Sequence, residues 1–122
     1  MLQEIIDAIV GKRYPQPLLG EWKTVAIVKD DAGKTSGAVD LGEHFAFLQV
    51  VIPTIDSAQL ELQVAGSLDS TYRDLGQDAL TVAGVGGYSD TWNLGGWRYV
   101  KIKASATQTT VTVIFQVRGI TY

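Results

Sequence analysis

Apolar and polar residues alternate along most of this chain. Over 97–104, Trp97, Tyr99, Lys101 and Lys103 fall on one side of an extended backbone, with Arg98, Val100, Ile102 and Ala104 on the other. Successive side chains of a strand point to opposite faces, so period two with one apolar face predicts a half-buried strand. The polar or small run 105–109 interrupts the pattern. It resumes with Val111, Val113, Phe115 and Val117 set against Thr110, Thr112, Gln116 and Arg118. The two runs predict a closing hairpin whose inner face is Val100, Ile102, Val111, Val113, Phe115 and Val117. Ile114 is an apolar residue on the polar side, which marks it as a candidate contact on a second, covered surface.

The same reading applied upstream predicts strands at 22–29, 36–41 and 45–52, with a turn at Asp30, Asp31, Ala32 and Gly33. The 45–52 run is apolar on both faces, as a central strand would be, and Pro53 is expected to end it. Leu60, Leu62 and Val64 alternate with Glu61 and Gln63 in a further strand, followed by strands at 72–75 and 80–83 and a glycine-rich bend at 84–87. With the segment from Tyr88 to Leu94 and the closing hairpin, the pattern predicts about eight antiparallel strands, an all-β sandwich or jelly roll.

The first ten residues differ in period. Leu2, Ile5, Ile6, Ile9 and Val10 follow helical spacing, Gln3, Glu4 and Asp7 lie off the stripe, and Gly11 follows as a stop. This predicts a short amphipathic helix. An isolated helix of this length is marginal in water, so its stripe must lie on something, either its own domain or a neighbouring subunit. Pro15 and Pro17 favour stiff, extended geometry over 12–20. The expected organisation is an N-terminal helix and arm over 1–20 and a β-sandwich domain over 21–122, with Leu2, Ile5, Ile6, Ile9 and Tyr14 joining Ile114 as candidate interface residues.

At 122 residues the chain is one domain in size. It contains no cysteine, so neither disulfides nor thiolate-bound metal hold it together. A net charge of −3 with ten scattered Lys and Arg argues against general nucleic-acid binding, which needs a concentrated basic patch. No apolar window is long enough to span a bilayer as a helix, and Glu4 and Asp7 stand where a secretory leader would be basic or apolar.

Reactive chemistry is sparse. Gly33, Lys34, Thr35, Ser36 and Gly37 resemble part of a phosphate loop, but Val28 stands where that motif needs its first glycine and a strand rather than a helix is expected to follow. The glycine-rich 84–90 segment likewise lacks the strand-loop-helix context of a dinucleotide site. His44 is the sole histidine, and without cysteine no ordinary zinc ligand set can form. No nucleophile-elbow sequence accompanies it. Asp30 with Asp31, and Asp69 with Asp74, are oxygen pairs of the kind calcium takes, yet neither matches the EF-hand loop and Asp is common in turns. No catalytic residue, metal or cofactor is assigned, and the chain is not expected to be an enzyme.

Tyr88, Trp92, Trp97 and Tyr99 crowd together in sequence beside Arg98, Lys101 and Lys103. Flat rings near polar groups can stack on a sugar, which makes these four the candidate glycan-binding residues. Equally, Trp92 and Trp97 can plug the ends of a sandwich, and exposed rings can anchor a protein interface.

Segment 37–75 runs from Val39, Asp40, Leu41 and Gly42 through Ile52 and Pro53 to a turn with Ser67, Asp69, Tyr72, Asp74 and Leu75. It resembles a segment of β-sandwich proteins encoded in the structural gene blocks of tailed bacteriophages. The closing stretch with Arg98, Tyr99 and Val100 resembles the last strand of those proteins, and also that of galactose-binding, discoidin-like jelly rolls. The resemblance implies a virion protein, made in the host cytoplasm. It would be a capsid decoration or cement protein, or a head-tail accessory, whose partners are capsid or other virion proteins and further copies of itself. The alternative it implies is a carbohydrate-binding module.

Overall fold

A computed structural model describes residues 17–76 and 80–122. The predicted N-terminal helix, with Leu2, Ile5, Ile6, Ile9 and Tyr14, lies outside the described residues. Within them the chain is all-β: β1 (Leu18–Leu19), β2 (Lys23–Ile27), β3 (Val39–Asp40), β4 (Phe47–Ala65), β5 (Arg73–Asp74), β6 (Leu80–Asn93), β7 (Tyr99–Ala104) and β8 (Val113–Thr121). All pairings are antiparallel.

The spine is β4, and each of its halves serves a different layer. The first half lies between β8 and β6, with Phe47 opposite both Ile120 and Asn93, and Val51 opposite both Gln116 and Ser89. The second half lies beside β7, with Leu60 opposite Ala104 and Ala65 opposite Tyr99, while β5 and the start of β6 flank its other edge. The ladder slips between Thr54 and Leu60. There the sheet bends over on itself, so one continuous sheet supplies both layers of the expected sandwich. β2 and β1 extend the first layer beyond β8, and β3 extends the second beyond β7.

Period two explains which faces meet. Leu48, Val50 and Ile52 from the first half of β4, Leu60, Leu62 and Val64 from the second, Val100, Ile102 and Ala104 from β7, and Val113, Phe115 and Val117 from β8 are buried in one cluster with Val25 and Ile27. Close approach at the bend requires glycine. Gly86 has φ +74°, and a Cβ there would fall on the Pro53 carbonyl oxygen. Gly119 likewise leaves room on the inner face of β8 for the Phe45 ring.

Three expectations need correction. Pro53 does not end its strand; β4 runs on to Ala65, because the proline sits just beyond the last pair with β8, Val51 opposite Gln116, and just before the slip that follows Thr54. Similarly, the 80–83 strand and the Tyr88 to Leu94 segment are joined through the glycine bend as β6. The third concerns the closing hairpin, which does not exist. β7 and β8 pair with opposite halves of β4 and lie in different layers. Val111, assigned to the inner face, is 53% exposed in the 105–112 connection. Buried Gln108 pins that connection: its side-chain oxygen accepts from the Asp56 N–H (2.7 Å), and its amide donates to the carbonyls of Asp56 and Ala106. The Asp56 carboxylate in turn accepts from the backbone N–H groups and hydroxyls of Thr109 and Thr110. At the other end of the chain, Leu18 and Leu19, placed in the arm by their sequence, pair with Thr121 and Ile120.

Candidate functional site

The two outer faces of the sandwich have opposite chemistry. On the second layer, ladder positions bring Asp40, Tyr99, Lys101, Lys103, Glu61, Gln63 and Asp74 to one surface. These groups satisfy one another. Arg98 donates to both Asp40 oxygens (2.6 and 3.0 Å), Lys103 lies 3.7 Å from Glu61, and Gln63 donates to Asp74 at 3.0 Å. The Lys101 ammonium sits over the Tyr72 ring at 4.5 Å. The Arg98 hydrogen bonds, helped by the Gly42 N–H, hold the Asp40 carboxyl at about 2, below its ordinary value. Such a face is at rest in water.

On the first layer, the outward positions are Thr24 and Ala26 of β2, Ile114, Gln116 and Arg118 of β8, Phe47, Gln49 and Val51 of β4, and Ser89, Thr91 and Asn93 of β6, while Ile120, next in the β8 alternation, is buried. Arg118 is the one charged residue among them. It is already engaged, donating to Gln49 Oε1 at 2.6 Å with its guanidinium 4.6 Å from the centre of the Trp22 ring. Trp22 is 46% exposed, Val51 36% and Ile114 54%. At the β1 end of this face Leu19 stands opposite Ile120, and Tyr122 packs on Phe47 with ring centroids 5.6 Å apart. A depression of about 530 Å³ opens among Trp22, Arg118, Gln49, Val51, Ser89 and Thr91, with Asp90 as its one acidic lining residue. Aromatic, aliphatic and arginine side chains with almost no other charge are the composition of the buried centre of a protein interface.

Ile114 is thus exposed on the outer face, as its position in the alternation predicts. Sequence reading missed its neighbours Trp22, Val51 and Arg118. The parity of Trp22 with Thr24 and Ala26, against Val25 and Ile27, was the available signal for the first. Nothing in the sequence showed that β2, β8 and β4 lie side by side.

The four aromatics proposed for glycan stacking do not form one platform. Trp92 is 2% exposed and faces the core, where its indole N–H has no hydrogen-bond partner. Tyr88 stands opposite Ile52 in the other layer from Tyr99, with its hydroxyl 3.4 Å from that of Thr81. Trp97, 39% exposed, borders a notch of about 340 Å³ with Thr71, Arg73, Asp74 and Leu75. Tyr99 lies under the Arg98 guanidinium, 5.3 Å from its ring centre.

Elsewhere the chemistry is local. His44 Nδ1 is 2.8 Å from the Gly96 carbonyl oxygen, where it acts as a donor. The 30–34 turn, with Asp30 and Lys34 at positive φ, leads into a bridge between Thr35 and Lys103 instead of a helix. Among the described residues no three His, Asp or Glu side chains converge as metal ligands.

No protein-family model matches the chain, and no curated protein does. Solved structures do match. Chitosan-binding module 1 of a chitosanase/glucanase from Paenibacillus sp. IK-5 aligns with a TM-score of 0.50 and 15% identity, over 80% of this chain and 94% of that one. The CBM32-6 structure from Clostridium perfringens gives 0.48 and 10%, over 81% and 94%. The SPBc2 prophage-derived protein YomS gives 0.46 and 12%, over 82% and 95%. The first of these shows the shared sandwich fold and nothing finer.

Proposed function

We propose that this chain is a non-catalytic structural protein of a tailed-phage virion, a capsid decoration or head-tail accessory protein that works through subunit contacts. The observation that carries the reading is the contrast between the two outer faces. The second layer neutralises its own charges, whereas the first presents Trp22, Val51, Ile114 and Phe47 around one arginine already bonded to Gln49, with Asp90 the one acidic residue of the depression beside it. Exposed apolar residues are common singly, but a contiguous charge-poor face is what association covers. The setting in a virion comes from the resemblance of segment 37–75.

The test is co-expression with the products of adjoining genes, followed by sedimentation of assembled particles. The unaltered chain is expected to travel with the particles, and Ile114→Lys to remain folded but stay behind. Failure of the unaltered chain to sediment with any particle would overturn the reading.

A second reading has its own observation, the notch beside Trp97, where an exposed indole adjoins Arg73, Asp74 and Thr71. A ring to stack on and polar groups to bond hydroxyls are what a sugar subsite needs. Chitosan, the polymer in the name of the module of like fold, is the first probe, with a glycan array beside it. Retention that Trp97→Ala abolishes supports this reading; no retention by the unaltered chain removes it.

A further inference from the structure

The charge-poor face is suited to meet a copy of itself. We propose that the outer face of β2, β8, the first half of β4 and the end of β6 packs, about a two-fold axis, on the same face of a second copy of this chain. The proposal rests on the structural reading above and names the partner of its contact face.

The first observation is charge. Arg118 is the one cation of the face, and Asp90 is the one anion lining its depression. Each is held within its own chain. Arg118 Nε donates to Gln49, and one Asp90 carboxylate oxygen accepts from the Thr91 N–H at 2.8 Å. A strongly charged partner would bury side chains there that find no counter-ion, a cost that disfavours nucleic acid and the charged face of another protein. A second copy brings one charge of each sign, so the pair buries no net charge. The outer face of the second layer, with Asp40, Glu61, Asp74, Lys101 and Lys103, offers no such match.

Regularity is the second. Through this part of the sheet the ladders run without a slip. Thr24, Gln116, Val51 and Ser89 therefore stand in one row across four strands, and Arg118, Gln49 and Thr91 in the next. Faces of regular sheets pack on one another about 10 Å apart with their strands nearly aligned. The neutral hydroxyls and amides of these rows both donate and accept, so each can be satisfied by its counterparts in the other copy.

Area is the third. Four strands at about 4.8 Å and about seven residues of β8 at about 3.3 Å outline a face of about 19 by 23 Å, or about 440 Å² on each copy. Two such faces, with the relief of Trp22 and Phe47 added, bury roughly 1,000 Å², the low end of specific interfaces. The contact is therefore a reversible dimer, and its symmetry closes it at two copies.

Light scattering after size exclusion, over a dilution series, reads the first consequence. The unaltered chain is expected to pass from dimer to monomer on dilution. Ile114→Lys and Gln116→Lys, each checked by circular dichroism, are expected to stay folded and to raise the dissociation constant about a hundredfold, because a two-fold contact contains each substitution twice and a tenfold loss is multiplied by itself. The chain has no cysteine, so a single introduced thiol takes one nitroxide label, and pulsed dipolar spectroscopy reads which faces meet. In the dimer, Ser89→Cys labels lie one intersheet gap apart in depth, about 10 Å, and Lys101→Cys labels on the far layers lie three gaps apart, about 30 Å. The Ser89 pair is expected to be the closer. An unaltered chain that stays monomeric at every concentration overturns the proposal. So does a dimer that both folded lysine variants leave intact, and so do Lys101 labels closer together than Ser89 labels. A monomeric chain that still sediments with particles, and loses this with Ile114→Lys, overturns the dimer and leaves the structural reading standing. A dimer that the lysine variants dissociate but that sediments with no particle supports the pairing and removes that reading.

Discussion

Replacing Phe115 by Ala tests the placement of β8 more sharply than any other single change. The side chain is fully buried on the inner face, opposite Val25 across the ladder and between the two layers. Removing the ring takes about 120 Å² of apolar surface out of the core, about 3 kcal/mol at 25 cal/mol per Å². The unfilled space adds to this, for a total of about 3–5 kcal/mol. A domain of this size holds about 5–15 kcal/mol in all. With an unfolding entropy of about 2.1 cal/mol/K per residue, the melting temperature should fall by about 12–20 °C.

Thermal melts and guanidinium titrations of Phe115→Ala and Ile114→Ala measure this directly. Ile114 stands on the opposite face, 54% exposed, and its truncation should cost under about 1 kcal/mol. A one-residue slip of a strand exchanges its two faces. A Phe115→Ala cost below about 1 kcal/mol, or a larger cost at Ile114 than at Phe115 under dilute monomeric conditions, would mean that β8 is paired in another register.

Other changes test other joints. Asp40 titrates at about 2, against 3.8 when free, so its pairing with Arg98 contributes stability above pH 3.8 that is lost as pH falls towards 2; Asp40→Asn should flatten that acid limb of a urea-midpoint profile. The pair is partly exposed, so added salt should shrink the effect. Gly86→Ala should destabilise by several kcal/mol, since its Cβ meets the Pro53 carbonyl, whereas Gly42→Ala, at positive φ but in open space, should cost about 1–2 kcal/mol; paired denaturant titrations read the difference. Gln108→Ala strands the part-buried backbone partners of its amide at a cost of about 1–3 kcal/mol, and hydrogen exchange at the Asp56 amide should accelerate. Removal of residues 1–14 should leave a cooperatively folding β domain, visible as a sharp melt with unchanged far-ultraviolet dichroism.

Alternation along the chain determined a good deal by itself. Whether a side chain faces in or out depends only on its neighbours two positions away. The inner sets of β7 and β8, the outward place of Ile114, the all-β class and a strand count near eight could therefore be read directly. Tertiary structure decided what pairs with what. Nothing local distinguishes a hairpin from two strands that flank opposite halves of a third, so β7 and β8 were expected together and are found in separate layers. Pro53 and Gly86 are ordinarily strand breakers, and here a bend absorbs both inside long strands that fold over between the layers. The candidate site followed the same rule. Ile114 was visible because it broke a pattern within its own strand. The face it belongs to, with Trp22, Val51 and Arg118, is assembled from β2, β4 and β8 and their flanks, segments far apart in sequence, and only the ladder between them makes it one surface.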